Sequence, residues 1–239
     1  MYYNDYNLYL GILCGYAQNA IINNVSVLGT INLITDITWI EIGGAIGYSK
    51  SCIINTSKSE VEIEINKTTT GKKYSNGAIY VGNFIGEDYY YTDGNQTVVS
   101  NCYAIGSINC TVTENTTGCV GGFIGGVSNY LIQIKNCFTV NSIDANLTYF
   151  LGGFISSSAS AGGSGSIDIH SSLCVSNKAF SASPNTPLDC YATSENNIKN
   201  RQWVIDNLSW NEYDKNRIND GYVWVLVDNE FPKLYWEIY

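Results

Sequence analysis

Hydrophobic and polar positions along this chain recur as a phrase rather than as a helical stripe. "YLGILCGY", "EIGGAIGY", "YVGNFIGE", "CVGGFIGG" and "FLGGFISS" place an apolar residue, a glycine, two further positions and an isoleucine or cysteine in the same order. Aligned on the first glycine, the copies start at Gly11, Gly43, Gly82, Gly121 and Gly152, at intervals of 32, 39, 39 and 31 residues. A second phrase trails the first: "NVSVLGTIN" (24–32), "NCYAIGSIN" (101–109) and "NCFTVNSID" (136–144) superpose without gaps. "SLCVSNKAF" (172–180) follows more loosely, and the region of "INTSKSEVEI" (54–63) needs a shift. Self-similarity at this period marks a stacked array, in which one repeat cannot bury its apolar face until neighbours cover it.

The predicted fold is all-β, a right-handed parallel β-solenoid of about five coils. Stacked coils in register turn equivalent residues into columns about 4.8 Å apart. Phe84, Phe123 and Phe154 should form one column, joined by Leu13 and Ala45. Ile46, Ile85, Ile124 and Ile155 form a second, joined by Cys14. The glycines fit corners with positive φ and close backbone approach. Variable length falls into loops such as 66–77 and 111–118. The solenoid is expected to occupy residues 1–190.

Residues 191–239 read differently. "TSENNIKNRQWVIDNL" opens with capping residues and predicts a short helix. "YVWVLV" and "KLYWEIY" read as strands of a hairpin around "DNEFP". Four of the five tryptophans, Trp203, Trp210, Trp224 and Trp236, lie here. The segment is read as a C-terminal cap covering the last coil, with a small independent domain as the alternative. No comparable cap precedes Leu10. The chain therefore reads as starting mid-architecture, trimmed from a longer precursor, with an N-terminal coil available for end-to-end self-association.

The "GGFIG…I.NCY..G.I" pattern resembles the GLUG-motif repeats of large surface proteins in bacteria and some protists. It is similar in layout to filamentous-haemagglutinin-type and immunoglobulin-peptidase-associated repeat regions. The likeness covers roughly residues 8 to 180; the first two copies depart from it, with Leu13 and Ala45 at the aromatic position. "FPKLYW" is similar to the segment that closes such arrays. The resemblance implies a parallel β-solenoid and a cell-surface or adhesive setting, and it implies no catalysis.

Composition narrows the function classes. Apolar residues make up 45% and charged residues 14%, with a net charge of −9 and two arginines, Arg201 and Arg217. Nucleic acids and anionic membranes need clustered cations, so neither is an expected partner. No apolar run is long enough for a transmembrane helix, and the first residues lack the pattern of a signal peptide.

Eight cysteines are too dilute for a disulfide scaffold. Cys102, Cys137 and Cys174 read as equivalent, forming a column of buried thiols. Cys110 and Cys119 bracket a polar loop and are the candidate disulfide. Eight Asn-x-Ser/Thr sequons, at Asn24, Asn55, Asn66, Asn95, Asn109, Asn115, Asn146 and Asn207, lean toward a secretory route.

The single histidine, His170, leaves little for a hydrolytic relay, and Asp168 beside it follows ordinary strand alternation. The best ligand candidate is the loop "GEDYYYTDGNQ" (86–96). There Glu87, Asp88 and Asp93 with Tyr89, Tyr90 and Tyr91 could hold a cation or a sugar, with a solvated insertion as the bland reading. Glu60, Glu62 and Glu64 are expected on the outer face of one strand, guarding against edge pairing.

The expected function is a non-enzymatic structural or adhesive module, extracellular or at the cell surface. It would use no cofactor and present loops to a protein or glycan ligand. A carbohydrate-binding or carbohydrate-cleaving β-helix is the alternative, and a cytoplasmic scaffold assembling end to end a further one.

Overall fold

The computed structural model describes residues 7–37, 39–67, 78–89, 95–112, 117–128, 131–146, 150–156, 166–175 and 190–238. It is a parallel β-solenoid in which each coil contributes one strand to each of four sheets. Coil 1 holds β1 (Asn7–Gly11), β2 (Cys14–Gln18), β3 (Ile21–Asn23) and β4 (Ser26–Thr35). Coil 2 holds β5 (Trp39–Gly43), β6 (Ile46–Lys50), β7 (Ile53–Asn55) and β8 (Lys58–Lys67). Coil 3 holds β9 (Ala78–Gly82), β10 (Ile85–Tyr89), β11 (Thr97–Ser100) and β12 (Tyr103–Val112). Coil 4 holds β13 (Thr117–Gly121), β14 (Ile124–Ser128), β15 (Leu131–Lys135) and β16 (Phe138–Ala145). A fifth coil is represented by β17 (Phe150–Gly152), a bridge from Ile155 to Ile124, β18 (Ser166–His170) and β19 (Ser172–Val175). β20 (Cys190–Thr193) then adds one more strand beside β19. The expected five coils are thus four complete ones and a partial fifth.

The columns are in register. Gly11, Gly43, Gly82, Gly121 and Gly152 pair in sequence across the first sheet. Ile46, Ile85, Ile124 and Ile155 follow in the second, with Cys14 beneath. Phe84 and Phe123 stack with centroids 5.0 Å apart and planes 12° from parallel, and Phe123 repeats this geometry on Phe154. All three rings are sealed in the core. Leu13 and Ala45 continue the column through backbone bonds from Leu13 N to Ala45 O and from Ala45 N to Phe84 O.

The column glycines serve a different purpose from the corner role assigned to them. Their φ angles are not positive. They sit where the first sheet turns back onto the second, so closely that a Cβ on Gly43 would lie 1.8 Å from the Ile46 carbonyl oxygen. Across the arch, a Cβ on Gly86 would meet the Ile42 amide nitrogen at 2.6 Å. Only a residue without a side chain lets the two backbones come this near.

Asparagines and small hydroxyl residues take the left-handed corners instead. Asn24, Thr56, Asn101, Asn136 and Ser171 form one such column, with φ of 46° to 56°; Asn19 and Ser51 form another. Their side chains bond along the axis. Thr56 Oγ1 donates to Asn24 Oδ1 (2.6 Å), Asn101 Nδ2 to Asn55 Oδ1 (3.0 Å) and Asn136 Nδ2 to Asn101 Oδ1 (3.1 Å). Polar residues tolerant of αL geometry therefore hold the corners.

The thiol column is corrected by register. Phe138 pairs with Leu173, so Ser172 lies opposite Cys137, and its Oγ accepts from the Cys137 amide. Cys174 instead aligns with Thr139 and Ala104. The expected Cys110–Cys119 disulfide is not formed: Cys110 in β12 and Cys119 in β13 are free thiols, which burial pushes up to about 12.

The tail holds two short helices, α1 (Glu195–Ile198) and α2 (Arg201–Leu208). Asn200 caps α2 by accepting from the Trp203 amide at 2.9 Å. A hairpin follows, made of β21 (Trp224–Val225) and β22 (Lys233–Leu234). It covers a side wall rather than standing over the last coil alone. Tyr103 and Phe138 open their strands, Leu173 pairs with Phe138 in β19, and all three point away from the solenoid core. They join Ile198, Val204, Leu208, Trp210, Trp224 and Leu234 in a second buried cluster. Trp210 stacks on Trp224 at 4.6 Å, and Tyr103 on Phe138 at 4.8 Å. The plate reaches back to coil 2, where Trp236 Nε1 donates to the Thr56 carbonyl (3.0 Å) and Lys58 bridges Glu60 and Glu237 (both 2.8 Å). Coils 3 to 5 present aromatic or aliphatic residues at this outward position, and that surface needs a cover.

Phe123 has a ring on each face and no exposure. Phe123→Ala is expected to cost about 3–5 kcal/mol in chemical denaturation. Gly43→Ala, forced into backbone, should lower the midpoint at least as far.

Candidate functional site

The two acids expected in an exposed ligand loop lie inside a wall. Glu87 and Asp88 belong to β10 and are 5% and 1% exposed. Tyr89 ends the same strand half-buried, while Tyr90, Tyr91 and Asp93 lie outside the described residues. Strand alternation sends Glu87 and Asp88 to opposite faces. Asp88 accepts from Ser49 Oγ (2.5 Å) and Thr97 Oγ1 (2.7 Å), which satisfies it within the core. Burial nevertheless pushes its carboxyl up to about 7, against the pull of those two bonds.

Glu87 meets Glu41, a residue the sequence reading passed over. Two positions before the column glycine stand Tyr9, Glu41, Tyr80 and Cys119. Five positions after it stand Tyr16, Tyr48, Glu87 and Gly126. The arch folds these two columns together. Glu41, 3% exposed, forms a carboxyl–carboxylate hydrogen bond with Glu87, and its Oε2 has no partner. Ser128 Oγ donates to Glu87 Oε1 at 2.5 Å.

Tyrosines wall in this pair. Tyr9 lies 5.0 Å from Tyr48; Tyr16 stacks on Tyr48 at 5.2 Å and 7°; Tyr48 stacks on Tyr89 at 6.2 Å. Tyr80 lies against Gly126, where a Cβ would come within 2.4 Å of the ring.

Two carboxylates side by side in a low-dielectric site cannot both ionise. Burial, then the charge of Glu87 and the bond to it, push Glu41 up to about 8. Glu87 is raised by burial but held down by Ser128 and Glu41, so it is the charged member and Glu41 carries the proton. Burial and the Glu87 charge also raise Tyr48 and Tyr80. The arrangement stores one proton. Both carboxyls are nearly sealed from solvent.

The remaining candidates are dispersed. His170 Nε2 lies 2.7 Å from Asp168 Oδ1 on β18, both side chains well exposed. Glu62 and Glu64 are exposed on β8 as expected, and Glu60 is tied to Lys58; β8 is paired on both sides, by β4 and β12, so these charges guard no edge. Among the sequons, Asn24, Asn66, Asn95, Asn109, Asn146 and Asn207 are exposed and Asn55 is half-buried; Asn115 lies outside the described residues. Asn146 uses both side-chain atoms on Val112, and Asn207 donates to the Trp203 carbonyl. A cleft of about 320 Å³ opens between plate and wall, lined by Glu60, Tyr103, Ile105, Phe231, Pro232 and Glu237. Lys58 bridges Glu60 and Glu237 there, and Lys233 pairs with Glu230. Among the described residues, no three His, Cys, Asp or Glu side chains gather as metal ligands, and no helix is long and apolar enough to cross a membrane.

No family model, curated protein or solved structure matches this chain.

Folded Glu41 binds its proton more tightly than the unfolded chain does. Its contribution to stability is therefore complete below about pH 4.5 and lost as pH rises through about 8. Asp88 acts with the same sign, its contribution complete below about pH 3.8 and lost as pH rises through about 7. Thermal melts should fall by about 5 °C or more between pH 5 and pH 9. Glu41→Gln, whose amide can donate to Glu87 at every pH, should flatten much of that slope.

Proposed function

We propose that the chain is a non-enzymatic structural module of a cell-surface or secreted protein, a rigid solenoid that holds its connecting loops outward for contact. The observation that carries this reading is continuity. Four sheets run in unbroken parallel register through the coils, and a tryptophan-rich plate ties coil 2 to the coils after it. Such a body resists bending, because every backbone bond of a coil is shared with its neighbours. The resemblance of the repeated phrase to GLUG-motif surface repeats supports the setting, as do the exposed sequons.

The carbohydrate alternative draws less support. Sugar recognition needs free aromatic faces with carboxylates beside them. Here Tyr48 is stacked between Tyr16 and Tyr89, and Glu41, Glu87 and Asp88 are buried.

Labelling intact source cells with a membrane-impermeant amine reagent tests the setting. The chain is expected among the labelled or secreted proteins, with mass added at exposed sequons if the host glycosylates. Recovery solely as unlabelled protein from lysed cells would overturn the surface reading.

A further inference from the structure

The core of this solenoid is cut open at coil 1. Leu8, Leu10, Cys14, Ile22 and Leu33 are half-buried, whereas their column partners Ile40, Ile42, Ile46, Ile54 and Ile65 are at most 1% exposed. Among the described residues, each of the four sheets ends on a coil 1 strand, so β1, β2, β3 and β4 line up their outer edges on one face. Ile12, Leu13, Tyr16, Ile21, Leu28 and Ile34 are exposed around it, Leu28 at 61% and Ile34 at 74%.

This face also lacks the usual protection. Exposed edges are normally blunted by charge or proline. No charged residue and no proline lies between Asp5 and Asp36, in a chain of net charge −9. The contrast begins one coil later, where Glu41, Lys50, Lys58, Glu60, Glu62, Glu64 and Lys67 follow. β4 alone offers ten uncharged residues, "SVLGTINLIT", as an edge.

We infer that coil 1 is a homodimer interface, in which a second copy of this chain docks head to head across a two-fold axis. Charge selects that partner. Two chains of net charge −9 repel over most of their surfaces, and the neutral face is where their approach costs least. Two neutral faces meeting about a two-fold bring β4 of each copy side by side and antiparallel, in a self-complementary contact that closes. Both open coil 1 cores are covered at once. The inference stands on the geometry and charge of coil 1 and does not depend on the surface setting proposed above.

Sedimentation of the full chain over a range of concentrations tests it. The wild type is expected as a dimer that tightens with added salt, since screening relieves the repulsion between the acidic bodies. Leu28→Lys/Ile34→Lys places like charges on adjoining strands and should weaken association at least about tenfold. Both positions are exposed, so circular dichroism should be unchanged. Asn109→Lys/Ser142→Lys, on the same wall in coils 3 and 4, should leave the dimer intact. A wild type that stays monomeric at all concentrations would overturn the interface. Growth into ever larger species would overturn the head-to-head geometry in favour of head-to-tail stacking.

Discussion

The structure depends on two backbones lying in contact at the glycine arch. Where the first sheet turns back on the second, a single added methyl on Gly43 or Gly86 would drive into backbone. That spacing has to recur in every coil, because parallel pairing transmits any displacement to the coils on either side. It explains why so short a phrase is repeated while the segments between copies drift in length and composition. It also sets the chemistry nearby: the same closure that excludes side chains at the glycines presses Glu41 against Glu87 and closes tyrosines over them.

The molecule therefore combines a conventional apolar core with a polar element it must keep protonated. Ser49, Thr97 and Ser128 supply hydrogen bonds to the buried acids, and among the described residues no cation bonds to Glu87 or Asp88. A buried carboxyl pair without a countercharge is stable only while it shares a proton. The fold is accordingly biased toward mildly acidic conditions, opposite to the usual behaviour of paired carboxylates. The side plate works independently, sealing a second apolar cluster that the solenoid's own alternation leaves outside.

Much of this architecture was legible in the chain. Identical residues at a fixed offset from a glycine, such as Phe84, Phe123 and Phe154, meet because period and register are the same thing in a stacked coil. Less was legible where two residues compete for one column. Cys174 looked equivalent to Cys137 by spacing, yet Ser172 fills that place, because a strand read two residues out of step keeps its inward alternation. Glu87 and Asp88 resembled the start of a polar loop because tyrosines and acids follow them, and hydropathy does not record that a strand runs through to Tyr89. The Glu41–Glu87 pair was available from the repeat itself: residues two before and five after the glycine needed comparison as two columns folded together. The plate's position escaped because Tyr103, Phe138 and Leu173 are apolar on a face assumed to be wet.

Spin labels on exposed residues of one outer column test the stacking most directly. Asn32, Glu64, Asn109 and Asp144 pair in succession across coils 1 to 4 and are exposed. Labels at positions 32 and 144, three coils apart, should report a narrow separation near 15 Å, about 4.8 Å for each coil. A broad distribution, or a distance far beyond that, would contradict the in-register solenoid.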